Sequence, residues 1–93
     1  MEIEWDEAKR LSNLEERGLD FVDAAFIFEG PFTEAEDRRM DYGERRFRAL
    51  GEVDGQHYIV VYVWRGTCRR IISAWKVNEE NRRRYRRLLD GGA

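Results

Sequence analysis

Ninety-three residues, 42% hydrophobic and 39% charged, suffice for one modest core and exclude a second domain of ordinary size. No run of about 18 apolar residues and no leader with a basic start and an apolar middle occurs, so neither membrane insertion nor secretion is supported, and a cytoplasmic protein is expected. The net charge of −2 conceals a division: residues 1–44 hold 14 Asp and Glu against 5 Lys and Arg, whereas residues 45–93 hold 5 against 12.

Ile3 and Trp5 fit a short first strand. Asp6 then caps a helix through about residue 17, with Gly18 supplying the left-handed position beyond its end. Asp20 caps a second helix, in which Phe21, Ala24, Ala25 and Phe28 recur at i, i+3, i+4 and i+7 as one apolar stripe, stopped by Gly30 and Pro31. Residues 31–44, PFTEAEDRRMDYGE, are polar and aperiodic and predict a surface loop. Three strands follow, at about residues 46–51, 58–64 and 69–75, joined by turns at Asp54-Gly55 and Arg65-Gly66 so short that neighbours must be antiparallel. Asn78 opens a last helix with Glu79 and Glu80 in its first turn and Arg82, Arg83, Arg84, Arg86 and Arg87 beyond, an order that suits the helix dipole. Its inward stripe is predicted at Asn81, Tyr85, Leu88 and Leu89. The order β-α-α-β-β-β-α describes one α+β domain over residues 1–93: a small, mostly antiparallel sheet with helices packed on one face.

Of the 17 basic residues 15 are arginine, the side chain that pairs bidentately with phosphate and stacks on bases. Alternation puts Arg46, Arg48 and Leu50 on one side of their strand, and sets Arg70, Ile72, Ala74 and Lys76 opposite Arg69, Ile71, Ser73 and Trp75 in the last. A sheet face of this kind, left open by helices on the other side, holds RNA through its phosphates and by stacking of bases on Trp64, Trp75 or Tyr85. Arg48, Trp75 and Arg82 are the candidate RNA-binding residues, and Arg69, which points away, is expected to be a bystander. Strand edges also carry Arg to block edge pairing, and an arginine-rich helix is often only a solvated face, so the pattern leaves both readings open.

His57, the one histidine, and scattered carboxylates offer no ligand spacing, so neither a metal nor another cofactor is expected. Cys68 stands alone and reads as a small hydrophobe. No hydrolase triad can be assembled. An enzyme made of these residues would cleave RNA by internal transfer: the substrate's own 2′-OH attacks, the protein orients it, and cations meet the charge that develops on phosphorus. Lys76 or Tyr85 would protonate the leaving 5′-oxygen.

The string WDxAK at residues 5–9, Asn13, Arg17-Gly18, Phe21-Val22-Asp23-Ala24-Ala25 with Phe28, Arg46-Phe47, Gly51, Val61-Tyr62, Arg65-Gly66 and Arg70-Ile71-Ile72-Ser73-Ala74 together resemble the BrnT toxin family over nearly the whole chain. The resemblance implies a fold similar to the RelE toxins and a metal-independent endoribonuclease of a type II toxin–antitoxin pair, which arrests translation and growth. It also implies an RNA substrate, a hetero-oligomer with a BrnA-like, DNA-binding antitoxin, and contact with DNA only through that antitoxin. Arg46, Arg65, Arg70, Lys76 and Tyr85 match the family's basic or aromatic positions and are the candidate catalytic residues. The chain departs from the family at Arg17, where a His is usual, at Trp75, where an Arg is usual, and at Asn81, where a Glu is usual. The alternative is therefore a catalytically weak or inactive binding module that keeps the fold and the antitoxin. Such a partner would lay an acidic or amphipathic segment over the strand arginines, while Glu34, Glu36, Asp37 and Asp41 hold a basic part of it.

Overall fold

The computed structural model describes residues 2–38 and 41–89, apart from the side chains of Arg86, Leu88 and Leu89; Arg39, Met40 and those three side chains, named in the predicted loop and last helix, lie outside the described residues. Strand β1 (Ile3–Trp5) leads into α1 (Glu7–Arg17). The Asp6 carboxylate accepts from Lys9 N at 3.2 Å at the start of α1, and Gly18, at φ 69°, donates its N–H to Leu14 O at 2.9 Å at the end. Asp20 likewise caps α2 (Phe21–Ala24), accepting from Val22 N at 3.0 Å.

The second helix differs from its predicted form, because α2 continues as a 3-10 segment, Ala25–Glu29. Three residues per turn align Phe21, Ala24 and Ile27, all fully buried, whereas the 3.6-residue pattern had passed over Ile27. The Ile27 side chain lies against Gly51, where an added Cβ would meet Ile27 Cβ at 2.6 Å.

Residues 31–44 are not wholly a loop: β2 (Phe32–Asp37) pairs antiparallel with β3 (Arg46–Val53), from Phe32 opposite Gly51 to Asp37 opposite Arg46. Three carboxylates in six residues disguise the strand, and each is met by a cation: Glu34 by Arg69 of a later strand at 3.7 Å, Asp37 by Arg48 across the pair at 3.9 Å, and Glu36 by Arg38 and Arg45 just outside the strands. Next come β4 (Gln56–Arg65), β5 (Cys68–Val77) and α3 (Glu79–Leu89), and the strands lie in the order β1-β5-β4-β3-β2, with β1 parallel to β5 and the other pairs antiparallel. The α+β class stands, and the observed sheet has five strands, with β2 as an acidic edge.

Helices cover both faces rather than one. The first face carries Phe21, Ala24, Ile27 and Phe28 of the α2 region against Ala49, Val60, Tyr62, Ile71 and Ala74. On the second, Leu50, Ile59, Val61 and Val77 pack with Trp75 and with Tyr85 of α3. The cause is written in β4: Ile59 through Val63 are buried without interruption, and a strand buried on both sides requires cover on both. Among the described side chains of α3 the half-buried ones are Arg82 and Tyr85, whereas Asn81 is exposed and leaves the inward stripe assigned to it.

Between β4 and β5 the register slips by one residue, since Val61 faces Ser73 but Tyr62 faces Ile71. This bulge at Ile72 turns the second half of β5 over. Ile71 and Ala74 both enter the first core, and Ile72 and Trp75 both join the second.

Beyond the three residues paired with β1, the outer edge of β5 is completed by one side chain. Buried Asn13 of α1 donates from Nδ2 to Ala74 O and to Leu19 O, each at 2.9 Å, and its Oδ1 accepts from Ala74 N at 3.3 Å. The amide thus stands in for a neighbouring strand. Asn13→Ala leaves three buried backbone groups without partners and is expected to destabilise the fold by about 3 kcal/mol, read as a lower urea midpoint at unchanged m-value.

Candidate functional site

The second face, where α3 does not cover it, carries the strand arginines in register. Arg46 is opposite Asp37, and Arg70 is opposite Val63 on one side and Glu4 on the other. Because Phe47 faces Tyr62, the next rung brings Arg46 level with Val63, so a single row runs Asp37, Arg46, Val63, Arg70, Glu4. Two strand spacings put the Arg46 and Arg70 main chains about 10 Å apart. The adjacent row reads Ala35, Arg48, Val61, Ser73.

Each of these guanidiniums has an anionic neighbour at loose distance. Arg70 Nη1 lies 3.3 Å from Glu4, Arg48 Nε 3.9 Å from Asp37, and Glu44 sits 3.6 Å from both Arg46 and Arg65. Arg46 also lies over the Tyr42 ring at 4.2 Å, and the Tyr42 hydroxyl donates to Asp37 at 3.2 Å. Chemically this is a row of planar cations laid over two buried valines, Val61 and Val63: Arg46, Arg65 and Arg70 are partly exposed, as are their carboxylate partners, which an entering phosphate can replace, whereas Arg48 and Asp37 are buried and back the row from within.

Of the predicted residues, Arg46, Arg48, Arg65 and Arg70 are brought together. Lys76 is not: the bulge pairs it with Tyr58, which packs on the first core, so its ammonium is exposed on the α1–α2 side of the sheet. Tyr85 is half-buried with its ring 6.5 Å from Trp75, within the packing under α3. Arg82 is held inside its own helix, donating to Glu79 at 2.8 and 3.1 Å, and that hydrogen bond draws the Glu79 carboxyl below its usual value. Trp64 lies on the other face, edge-on to Tyr62, and carries no part of the arginine row. Burial and the Glu4 and Glu2 carboxylates push the Cys68 thiol up, away from the reactive thiolate.

Arg69 corrects the reading of a bystander. It does point away from Arg70, but it is only 7% exposed, and its guanidinium lies 4.4 Å from the ring centre of Phe28, 4.5 Å from Trp64, 5.1 Å from Tyr62 and 5.3 Å from Phe32. Glu34, which also accepts from the Tyr62 hydroxyl, stands 3.7 Å from it. Sequence reasoning also missed Tyr42 and Ser73. The first lay in a segment read as a loop, and the second was assigned to the wrong face by strict alternation. Arg17 and Trp75, two of the departures from the family pattern, prove to be in contact, with the Arg17 guanidinium 5.0 Å above the indole.

An α+β fold that lines one sheet face with arginines in register has the surface of a protein that handles phosphate polymers. The model of the BrnT ribonuclease toxin of type II toxin–antitoxin systems matches residues 5–81, and the chain belongs to that family. An RNA substrate and an antitoxin partner go with membership. No curated protein sequence matches the chain. Among the described residues no helix is long and apolar enough to cross a membrane.

Proposed function

We propose that the chain is a toxin that cleaves RNA without a metal, at the face formed by Arg46, Arg48, Arg65 and Arg70, and so arrests translation and growth. The observation that carries this reading is the register, which brings arginines from β3 and β5 into one row across the sheet. In the internal-transfer reaction the 2′-hydroxyl releases its proton to solvent as its oxygen bonds to phosphorus and the bond from phosphorus to the 5′-oxygen breaks, and the arginines neutralise the two non-bridging oxygens as their charge grows. The leaving oxygen takes a proton from Tyr42, which lies beneath Arg46, or from Tyr85 if RNA binding draws α3 aside. A BrnA-like, DNA-binding antitoxin silences the toxin by laying an acidic or amphipathic segment over the same arginines, in a hetero-oligomer that meets DNA only through the antitoxin.

The test is cleavage of single-stranded RNA by the purified chain in EDTA. It should leave 2′,3′-cyclic phosphate ends and spare DNA of the same sequence, which lacks the nucleophile. Binding should weaken with salt at a log–log slope of roughly −2 to −3 for three or four phosphate contacts. A second reading, the inactive module that keeps its antitoxin, is favoured by one specific observation: Lys76 lies across the sheet and Tyr85 is packed under α3, so two proton donors of the predicted set stand away from the arginines. Antitoxin binding with no cleavage in any buffer would establish it.

A further inference from the structure

We infer that Arg17 and Trp75 form a subsite for one unpaired nucleobase, which stacks on the outer face of the Arg17 guanidinium. The inference rests on the RNA-binding reading above and adds to it a point where the strand is gripped by base rather than by phosphate. Arg17 closes α1 and is exposed, yet its guanidinium is laid over the indole of Trp75, at 5.0 Å, and Trp75 is in turn backed by Tyr85. The indole thus holds the guanidinium in place from one side, while the residue stays exposed to solvent. Stacking on a plane already held in place avoids much of the rotamer entropy that a free arginine loses on binding.

Two further observations separate Arg17 from a helix-end cation that merely shields a ring. First, each of Arg46, Arg48, Arg65 and Arg70 has a carboxylate partner, whereas Arg17 has no ion pair among the described residues. Second, it borders a cleft of about 210 Å³ between α1 and β5, lined by Lys9, Ser12, Asn13, Glu16, Ile72 and Ser73. Ser73 shares a sheet row with Arg48, so the cleft begins where the arginine face ends, and a strand crossing that face reaches it without turning back. The Asn13 amide is committed to Ala74 and Leu19. Ser12, which donates to Glu16 at 3.3 Å, Glu16 itself, Lys9 and Ser73 are left to meet the edge of a base.

The experiment compares a short 2′-O-methyl oligonucleotide, which cannot undergo internal transfer, with an abasic strand of equal length. Binding of both to the wild-type chain and to Arg17→Lys is measured by fluorescence anisotropy across a salt series. The variant keeps the charge at the end of α1 and loses the plane. It should bind the base-bearing strand roughly tenfold more weakly, the size of one base stack, with unchanged binding of the abasic strand and an unchanged salt slope. Equal weakening on both strands, or none on either, would overturn the subsite while leaving the arginine face in place. If the wild-type chain binds neither strand, the RNA reading fails and the subsite fails with it.

Discussion

Arg70→Ala is expected to slow RNA cleavage by about two to three orders of magnitude and leave the fold intact. The residue sits mid-row between Val63 and Glu4, its side chain is partly exposed, and its ion pair with Glu4 spans 3.3 Å, so the folded state draws little from it. The transition state draws more, because the charge on phosphorus is concentrated on oxygens that a fixed planar donor meets without rearrangement. Loss of one such donor costs about 3–4 kcal/mol of barrier, or on the order of 10² to 10³ in kcat. Lys76→Ala serves as the control: on the far side of the sheet, it should cleave at the wild-type rate. Single-turnover cleavage with saturating RNA, together with melting curves, reads both. If the two variants cleave alike, the arginine row is not the reacting site, and β5 carries its cations as a solvated surface.

The second large effect is on stability. Arg69→Ala removes a guanidinium enclosed by four aromatic rings and facing Glu34, and should destabilise the chain by about 3 kcal/mol, from lost cation–π contact and from a carboxylate left beside apolar surface. Arg69→Met, which refills the space with a thioether suited to ring contacts, should recover a good part of that loss. Urea midpoints for the three proteins decide the matter, and equal midpoints would mean that the rings pack as well without the cation. Adjacent arginines on one strand thus separate two roles: removing Arg70 should change rate and not stability, and removing Arg69 should change stability first.

The acidic and basic halves of the sequence do not form two opposed surfaces. Folding lays β2 and the segment after it against the basic strands, so Glu34 faces Arg69, Asp37 faces Arg48, and Glu44 sits between Arg46 and Arg65. Glu36 binds Arg45 and Arg38, whose hydrogen bonds hold its carboxyl below the usual range. Three of the four carboxylates expected to hold a basic part of the antitoxin are thus engaged within the chain, and Asp41 accepts from Gly43 N at 2.9 Å. A partner that binds the acidic edge must displace a resident arginine, which lowers the gain from any single new ion pair.

Local chemistry sufficed for much of this protein. Caps at Asp6 and Asp20, the Gly18 helix end, the tight turn at Asp54-Gly55, the turn expected at Arg65-Gly66 that falls one residue on at Gly66-Thr67, and the apolar run in β4 are each decided by neighbours in sequence, and the ordered motifs from Trp5 to Ala74 carried the family. Three features were decided only by the tertiary structure. Phe32–Asp37 is a strand because β3 supplies its hydrogen bonds and its counter-charges, neither of which a window of acidic residues contains. The cover on the second face comes from α3, placed there by the need of Ile59, Val61 and Leu50 for shelter rather than by its own composition. The bulge at Ile72 sent Lys76 to one side of the sheet and Trp75 to the other. A period-2 pattern has no memory of an inserted residue, so each assignment beyond the bulge was inverted, and that single step separates the predicted cation cluster from the one the sheet builds.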